Sequence, residues 1–217
     1  MNEQSVPSAL DTADWRRRVF ALYGEVREAT DRAEAHAIWR AGRDELLASH
    51  AASPLPVEER EVFRGVQLGD YQPELRFEVA IDTEVEPVRW EVPSATDGVI
   101  PFTRIGALHL PAVGDLDVWW LESYGGGVFV PVKDDLAGAR TYGGGRYLLD
   151  TVKGADLGGD FRAGWLVVDL NFAYNPSCAY SPLWTCPLAP AGNTVPAALP
   201  VGELTVNSTH DPGVQSA

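Results

Sequence analysis

Two stretches of this chain gather side chains that could do chemistry. The first, Tyr142-Gly143-Gly144-Gly145-Arg146, sets a cation directly after a glycine run. The second, from Asp169 to Tyr180, reads DLNFAYNPSCAY and brings amides, tyrosines and a thiol together. A guanidinium can hold a carboxylate or phosphate through two parallel hydrogen bonds, so Arg146 is an anchor for an anion. Asn171 and Asn175 could recognise a polar group through their amides, with Tyr142, Tyr174 and Tyr180 as aromatic walls. Cys178 would be a nucleophile if a base or a positive field lowered its pKa; Arg146 could supply that field if the fold brings the two together. These seven residues form the candidate ligand site. Its expected occupant is a small polar or anionic molecule.

The same residues have architectural readings. Asn175-Pro176 marks a turn of the kind asparagine caps. Cys178 and Cys186 could be small packing residues. Arg146 could pair with Asp134, Asp150 or Asp169 in the interior. The Tyr-Gly-Gly-Gly sequence occurs twice, at Tyr124–Gly127 and Tyr142–Gly145. Its glycines could supply positive φ or let a backbone or ligand approach closely, Gly144 in particular. The two tyrosines could bracket one region across neighbouring strands. An enzyme, for which no catalytic residue is assigned, would draw on Glu122, Asp134, Asp150 and Asp169. Two of these converging on a cleft would drive their pKa values apart, and Asp/Arg chemistry there would suit a hydrolase or isomerase. A third class, an interaction module without a ligand, stays open.

Other chemistries are disfavoured. A phosphate loop needs glycines between a strand and a helix N-terminus, but both glycine runs lead into the strand-like VFVPVKD and RYLLDTV. No G-x-G-x-x-G fingerprint and no G-x-S-x-G elbow occurs. The two cysteines have C-x7-C spacing and the four histidines are scattered, so neither a metal nor a cofactor is expected. A net charge of −14 repels phosphate backbones and anionic lipid surfaces, so nucleic acid and membrane are not expected partners. The opening MNEQSVPSAL lacks the basic and apolar regions of a secretory signal. The expectation is therefore a cytoplasmic protein whose cysteines are thiols. The Asn207-Ser208-Thr209 sequon then carries no weight. The oligomeric state is not legible.

The elements that must position these residues follow from periodicity. Trp15, Val19, Leu22 and Val26 share one face of a helix over 14–28. A second helix starts near Asp31, where Asp31 and Glu34 make a capping pattern, and runs to about His50, before the Pro54 and Pro56 stop. Beyond Pro56 come seven strand-like segments: 75–81, 88–92, 102–110, 116–123, 127–134, 145–152 and 164–172. The expected fold class is α+β, with N-terminal helices packed on an antiparallel β-sandwich or open β-barrel. The expected organisation is a helical segment over 1–56, a β-rich domain over 57–204 and a disordered tail over 205–217. Residues 1–11 read as a frayed terminus, and 173–200 as an ordered cover with little regular structure.

TYGGGRYL (141–148), DLNFAYNPSCAY (169–180), CPLAP (186–190) and Asn193 together resemble an uncharacterised bacterial family, domain of unknown function 1684. WRAGRDELLASHAASPL (39–55) is similar to that family's upstream helix with its Trp-Arg and Arg-Asp pairs. Leu136 stands where family members often carry a threonine after an aspartate, here Asp134. The resemblance implies a shared fold and a shared site. It supplies no activity.

Overall fold

The computed structural model describes residues 8–94 and 98–205. Helix α1 spans Ala9–Glu28 and α2 spans Arg32–Ser49. A capping box starts α1, in which Asp11 N–H donates to Ser8 Oγ (3.1 Å) and Ser8 N–H to Asp11 Oδ2 (3.1 Å). The helix therefore begins inside the stretch expected to fray. Asp31 caps α2 as its sequence suggests, accepting from Glu34 N–H at 2.8 Å. The proline-bearing turn after α2 is held by Arg60 of the one-turn helix α3 (Val57–Arg60). Arg60 donates to the carbonyls of His50, Ser53 and Leu55.

The strands are β1 (Arg76–Ala80), β2 (Arg89–Ser94), β3 (Gly98–Leu110), β4 (Gly114–Leu121), β5 (Val128–Val132), β6 (Arg146–Asp150), β7 (Gly159–Asp160) and β8 (Trp165–Asp169). They form two antiparallel sheets, ordered β1-β8-β7 and β2-β3-β4-β5-β6. The result is sandwich-like and not a closed barrel. Pro131 sits within β5 at a register shift, where the ladder can spare its missing N–H. β6 extends its pairing beyond the sheet: Tyr147 and Tyr174 exchange backbone hydrogen bonds at 2.9 and 3.1 Å. That bridge carries the Tyr174–Tyr180 segment alongside β6.

Alternation along the strands divides the core into two layers. Val118, Val130 and Leu148 face the small sheet and pack with Leu166, Val168, Leu199 and Val201. Their neighbours Trp119, Phe129 and Tyr147 face the helices and meet Leu22, Tyr23, Val26 and Trp39. The helix-facing layer is aromatic, with Phe129 edge-on to Tyr147 at 4.7 Å and Tyr147 edge-on to Tyr174 at 5.6 Å. Residues 170–200 carry three short 3-10 turns, at Leu170–Phe172, Ser177–Ala179 and Ala191–Asn193. They bury Ala173, Tyr180, Val195 and Leu199 as an ordered cover.

The two Tyr-Gly-Gly-Gly runs lie at opposite ends of β5, so they do not bracket one region. Tyr124 is fully exposed at the β4–β5 turn, where Gly125 and Gly126 hold φ of 91° and 62°. Tyr142 is buried. In its run the left-handed residue is Gly145 (φ 87°), not Gly144, and a Cβ there would lie 2.9 Å from the Val132 carbonyl oxygen. The disordered-tail expectation falls on 206–217, outside the described residues, apart from Thr205, whose N–H donates to the Arg140 carbonyl. Among the described residues, no helix is long and apolar enough to cross a membrane.

Candidate functional site

A cleft opens where α1 and α2 meet β6 and the segment it holds. Tyr147, Tyr174 and Tyr180 line one side, Trp15 and Tyr23 the other, and Arg43, Lys153 and Asn175 supply polarity. The space between its atoms is about 570 Å³, but the centres of water-sized molecules can occupy only about 40 Å³. It is narrow. Burial pushes the pKa values of Tyr23, Tyr147, Tyr174 and Tyr180 upward, so all four stay neutral phenols.

A buried ion pair fixes the cleft's inner end. Glu203 is fully enclosed and accepts from Arg43 Nε (2.5 Å) and Nη2 (3.1 Å). It also takes the Asn175 N–H (2.8 Å) and the Tyr180 hydroxyl (2.9 Å). Arg43 Nη2 donates to the Asn175 carbonyl as well (3.1 Å), and its guanidinium lies 4.9 Å from the Tyr174 ring centroid. One carboxylate thus ties α2 to the 174–180 segment and to the end of the chain's fold. Asn175 is 2% exposed, and its Nδ2 donates to the Leu204 carbonyl at 2.9 Å. That bond fixes which end of the amide is which, and the Oδ1 at the other end has no partner among the described residues. Lys153 Nζ lies 3.5 Å from Asp150 Oδ2 and 5.7 Å from the Tyr147 ring centroid; its side chain is 43% exposed.

The structure brings Tyr174, Asn175 and Tyr180 together as cleft residues and puts the other four candidates elsewhere. Arg146 is completely buried, away from the cleft. Its Nη2 donates to Asp134 Oδ2 (2.9 Å) and to the Leu199 carbonyl (3.1 Å), and its Nη1 to the carbonyls of Val201 and Glu203. Asp134 in turn accepts from Thr141 Oγ1 and Leu136 N–H. Both terminal nitrogens of the guanidinium are occupied by protein groups, which is the architectural alternative that the sequence left open; its Nε has no partner among the described residues. Asn171 lies in a 3-10 turn, not a strand. Its amide clamps the Gln72 backbone by two hydrogen bonds of 2.8 Å and reaches Asp169 Oδ1. Asn193 is a similar clamp, accepting from Trp119 Nε1 (2.7 Å) and donating to the Asp117 and Pro131 carbonyls.

Tyr142 and Cys178 sit together behind the cleft segment, with the Tyr142 hydroxyl donating to Cys178 Sγ at 3.5 Å. Cys186 is beside them: the Cys178 N–H donates to its sulfur at 3.4 Å. The charge acting on this thiol is Lys153, not Arg146. The four carboxylates considered for catalysis do not converge. Glu122 accepts from Thr103, Asp134 pairs with Arg146, Asp150 with Lys153, and Asp169 accepts from Asn171. Among the described residues, no three His, Cys, Asp or Glu side chains group around a metal position. A second and roomier depression lies between α1, α2 and the small sheet; the space between its atoms is about 660 Å³, and Arg27, Arg32, Arg76 and Asp169 line it.

Sequence reasoning missed Arg43, Lys153 and Glu203. Arg43 belongs to the WRAGRDE stretch and Lys153 is one of two lysines, so each carried some signal. Glu203 carried none.

These features define an α+β protein in which two helices cover one face of an antiparallel sandwich and a tyrosine-lined cleft opens beneath them. A model of the family described as "Protein of unknown function (DUF1684)" matches residues 61–204, and the chain belongs to that family. The match begins after α2, so it leaves out the upstream stretch at 39–55 and Arg43. Among solved structures, the chain is similar to an uncharacterized protein of Haloarcula marismortui determined by solution NMR. The identity is 29% and the TM-score 0.53, over 91% of this chain and 98% of that one. No curated protein matches the chain.

Proposed function

We propose that this protein binds a small polar molecule in the cleft between its helices and β6, with Asn175, Lys153 and Tyr174 as the contacts. The observation that carries this reading is the Asn175 Oδ1, a buried acceptor without a donor among the described residues. Leaving such a group unpaired costs about 1–3 kcal/mol, which an N–H or O–H from a ligand would offset. Lys153 supplies a partly exposed cation nearby. The neutral tyrosines supply flat walls and hydroxyls. The ligand that fits this chemistry carries a hydrogen-bond donor next to an acceptor or carboxylate, so hydroxy and amino acids form the first class to try. Hydrolysis or isomerisation by Asp/Arg chemistry is the weaker alternative, because the Asp134–Arg146 pair is closed off from solvent.

The test is a thermal-shift screen of metabolite acids, sugars, nucleotides and neutral analogues on the wild type, Lys153→Gln and Tyr174→Phe. A ligand at about 100 times its Kd stabilises by about 2.7 kcal/mol. At roughly 2.1 cal/mol/K per residue, that raises the Tm of this chain by about 6 °C. The reading predicts a hit that shrinks in both variants while their unliganded Tm stays within about 2 °C of wild type. A screen without hits, or a hit indifferent to both substitutions, would overturn it. A hit lost only in Arg32→Ala would move the site to the second depression.

A further inference from the structure

Cys178 and Cys186 are far enough apart in sequence to be independent, yet the fold holds them as a pair. Pro176 starts the 3-10 turn Ser177–Ala179, and the Cys178 N–H at that turn donates to Cys186 Sγ at 3.4 Å. On the other side of the pair the Tyr142 hydroxyl donates to Cys178 Sγ at 3.5 Å. Cys186 is kept in place from its other side, where the Tyr147 hydroxyl donates to the Pro187 carbonyl (2.7 Å) and Ala189 N–H to the Gly144 carbonyl (3.0 Å). Both cysteines are half-buried, which leaves them within reach of a small reagent. A backbone N–H aimed at the Cys186 sulfur, with the second cysteine beside it and the Lys153 ammonium acting on it, forms a cradle for a thiolate. A cysteine that served only as packing would have no use for it.

We infer that Cys178 and Cys186 form a redox-active dithiol in which Cys186 attacks a small disulfide and Cys178 resolves the adduct. The steps balance without any other reactant. The Cys186 thiolate attacks one sulfur of a low-molecular-weight disulfide; a new S–S bond forms, the old one breaks, and one thiolate leaves. Cys178 then gives up its proton and attacks the Cys186 sulfur. The intramolecular disulfide forms and the second small thiolate leaves, so two protein thiols are oxidised and one external disulfide is reduced to two thiols. The assignment of roles follows the cradle. The hydrogen bond from Cys178 lowers the Cys186 pKa to about 6, assisted by Lys153 against the opposing effect of burial. The same hydrogen bond and burial raise that of Cys178. The inference goes beyond ligand binding in the cleft and stands whether or not the cleft is occupied.

The experiment treats the reduced full-length chain with 4,4′-dithiodipyridine, follows released thione, and weighs the product. The wild type should release two thiones and end lighter by two hydrogens, with no adduct. Cys178→Ser should release one and keep one adduct; Cys186→Ser should lag well behind it. Relative to an ordinary thiol of pKa 9.0, the greater thiolate fraction at pH 6, reduced by the lower nucleophilicity of a more acidic thiol, leaves Cys186 about 25-fold faster. Two adducts on the wild type would show independent thiols, and a native chain that reacts only after denaturation would show packing residues. A Cys186→Ser variant reacting as fast as Cys178→Ser would reverse or abolish the assigned roles. Each of these overturns the inference. The wild-type mass needs no variant, so it decides the matter even if a serine substitution prevents folding.

Discussion

Replacing Arg146 by Met should unfold the protein at much lower temperature without any ligand being involved. The side chain is fully buried beside Asp134, and its nitrogens serve the carbonyls of Leu199, Val201 and Glu203 as well as the carboxylate. Methionine keeps most of the bulk but leaves the carboxylate in the core without its cation. Breaking a buried pair in this way costs about 3–5 kcal/mol. With an unfolding entropy of roughly 2.1 cal/mol/K per residue, the loss for this chain is a Tm lower by about 7–11 °C. Arg146→Lys should recover little, because an ammonium cannot reproduce a planar fork shared among four oxygens. The double variant Arg146→Met, Asp134→Asn should be less destabilised than the sum of the two single changes by at least about 1 kcal/mol, since the second removes the stranded charge. Thermal and urea unfolding at neutral pH compare the four variants, Asp134→Asn included, with the wild type. A loss below about 1 kcal/mol for Arg146→Met, or strict additivity in the cycle, would refute the claim that the pair is a coupled structural unit. A ligand-anchoring Arg146 would be recognised by the opposite pattern, unchanged unliganded stability with lost binding.

Gly145→Ala should cost about 2–3 kcal/mol, because φ is 87° and the added Cβ would meet the Val132 carbonyl at 2.9 Å. Gly125→Ala, with φ 91° but open space around it, should cost about 1 kcal/mol, and urea midpoints compare the two. His36 is held below its ordinary pKa by burial, against a hydrogen-bonding contact with the Asn171 carbonyl. The unfolded chain therefore binds a proton more readily at this site, so His36 takes stability away as pH drops below about 6.5, while His109, raised by its hydrogen bonds to Asp115 and Asp82, acts in the opposite direction; His36→Gln should therefore lose less stability, or gain more, than the wild type between pH 7 and 5. Equal changes in unfolding free energy for wild type and His36→Gln between pH 7 and 5, measured by urea titration, would contradict that assignment. The ligand screen on Lys153→Gln and Tyr174→Phe and the thione-release assay on the two cysteines complete the set.

How far the sequence could be read depended on whether the signal was local. All seven strand-like segments form strands, because alternation bounded by Gly and Pro is written within a few residues. The two-residue β7 is too short to show a period. Asp31 announced its helix, whereas Ser8 and Asp11 make the same kind of cap inside a terminus read by its polarity alone. The site followed the same rule. Tyr174, Asn175 and Tyr180 were legible as a unit because they are neighbours on one segment that β6 carries into the cleft. Arg43 and Lys153 reach that cleft from α2 and from the turn after β6, and Glu203 underlies it from the far end of the chain; only the packing of the two layers brings them together. Arg146 shows the converse. A cation after a glycine run looks the same in sequence whether it faces solvent or four protein oxygens. What decides is the ladder: pairing of Arg146 with Val132 in β5 turns its side chain inward to Asp134 and the 199–203 backbone, and the same Val132 carbonyl leaves no room for a Cβ at position 145. The glycine run and the arginine are therefore one device, which closes the sandwich at this end, and the polar chemistry left for a ligand lies on the other side of β6, under the helices.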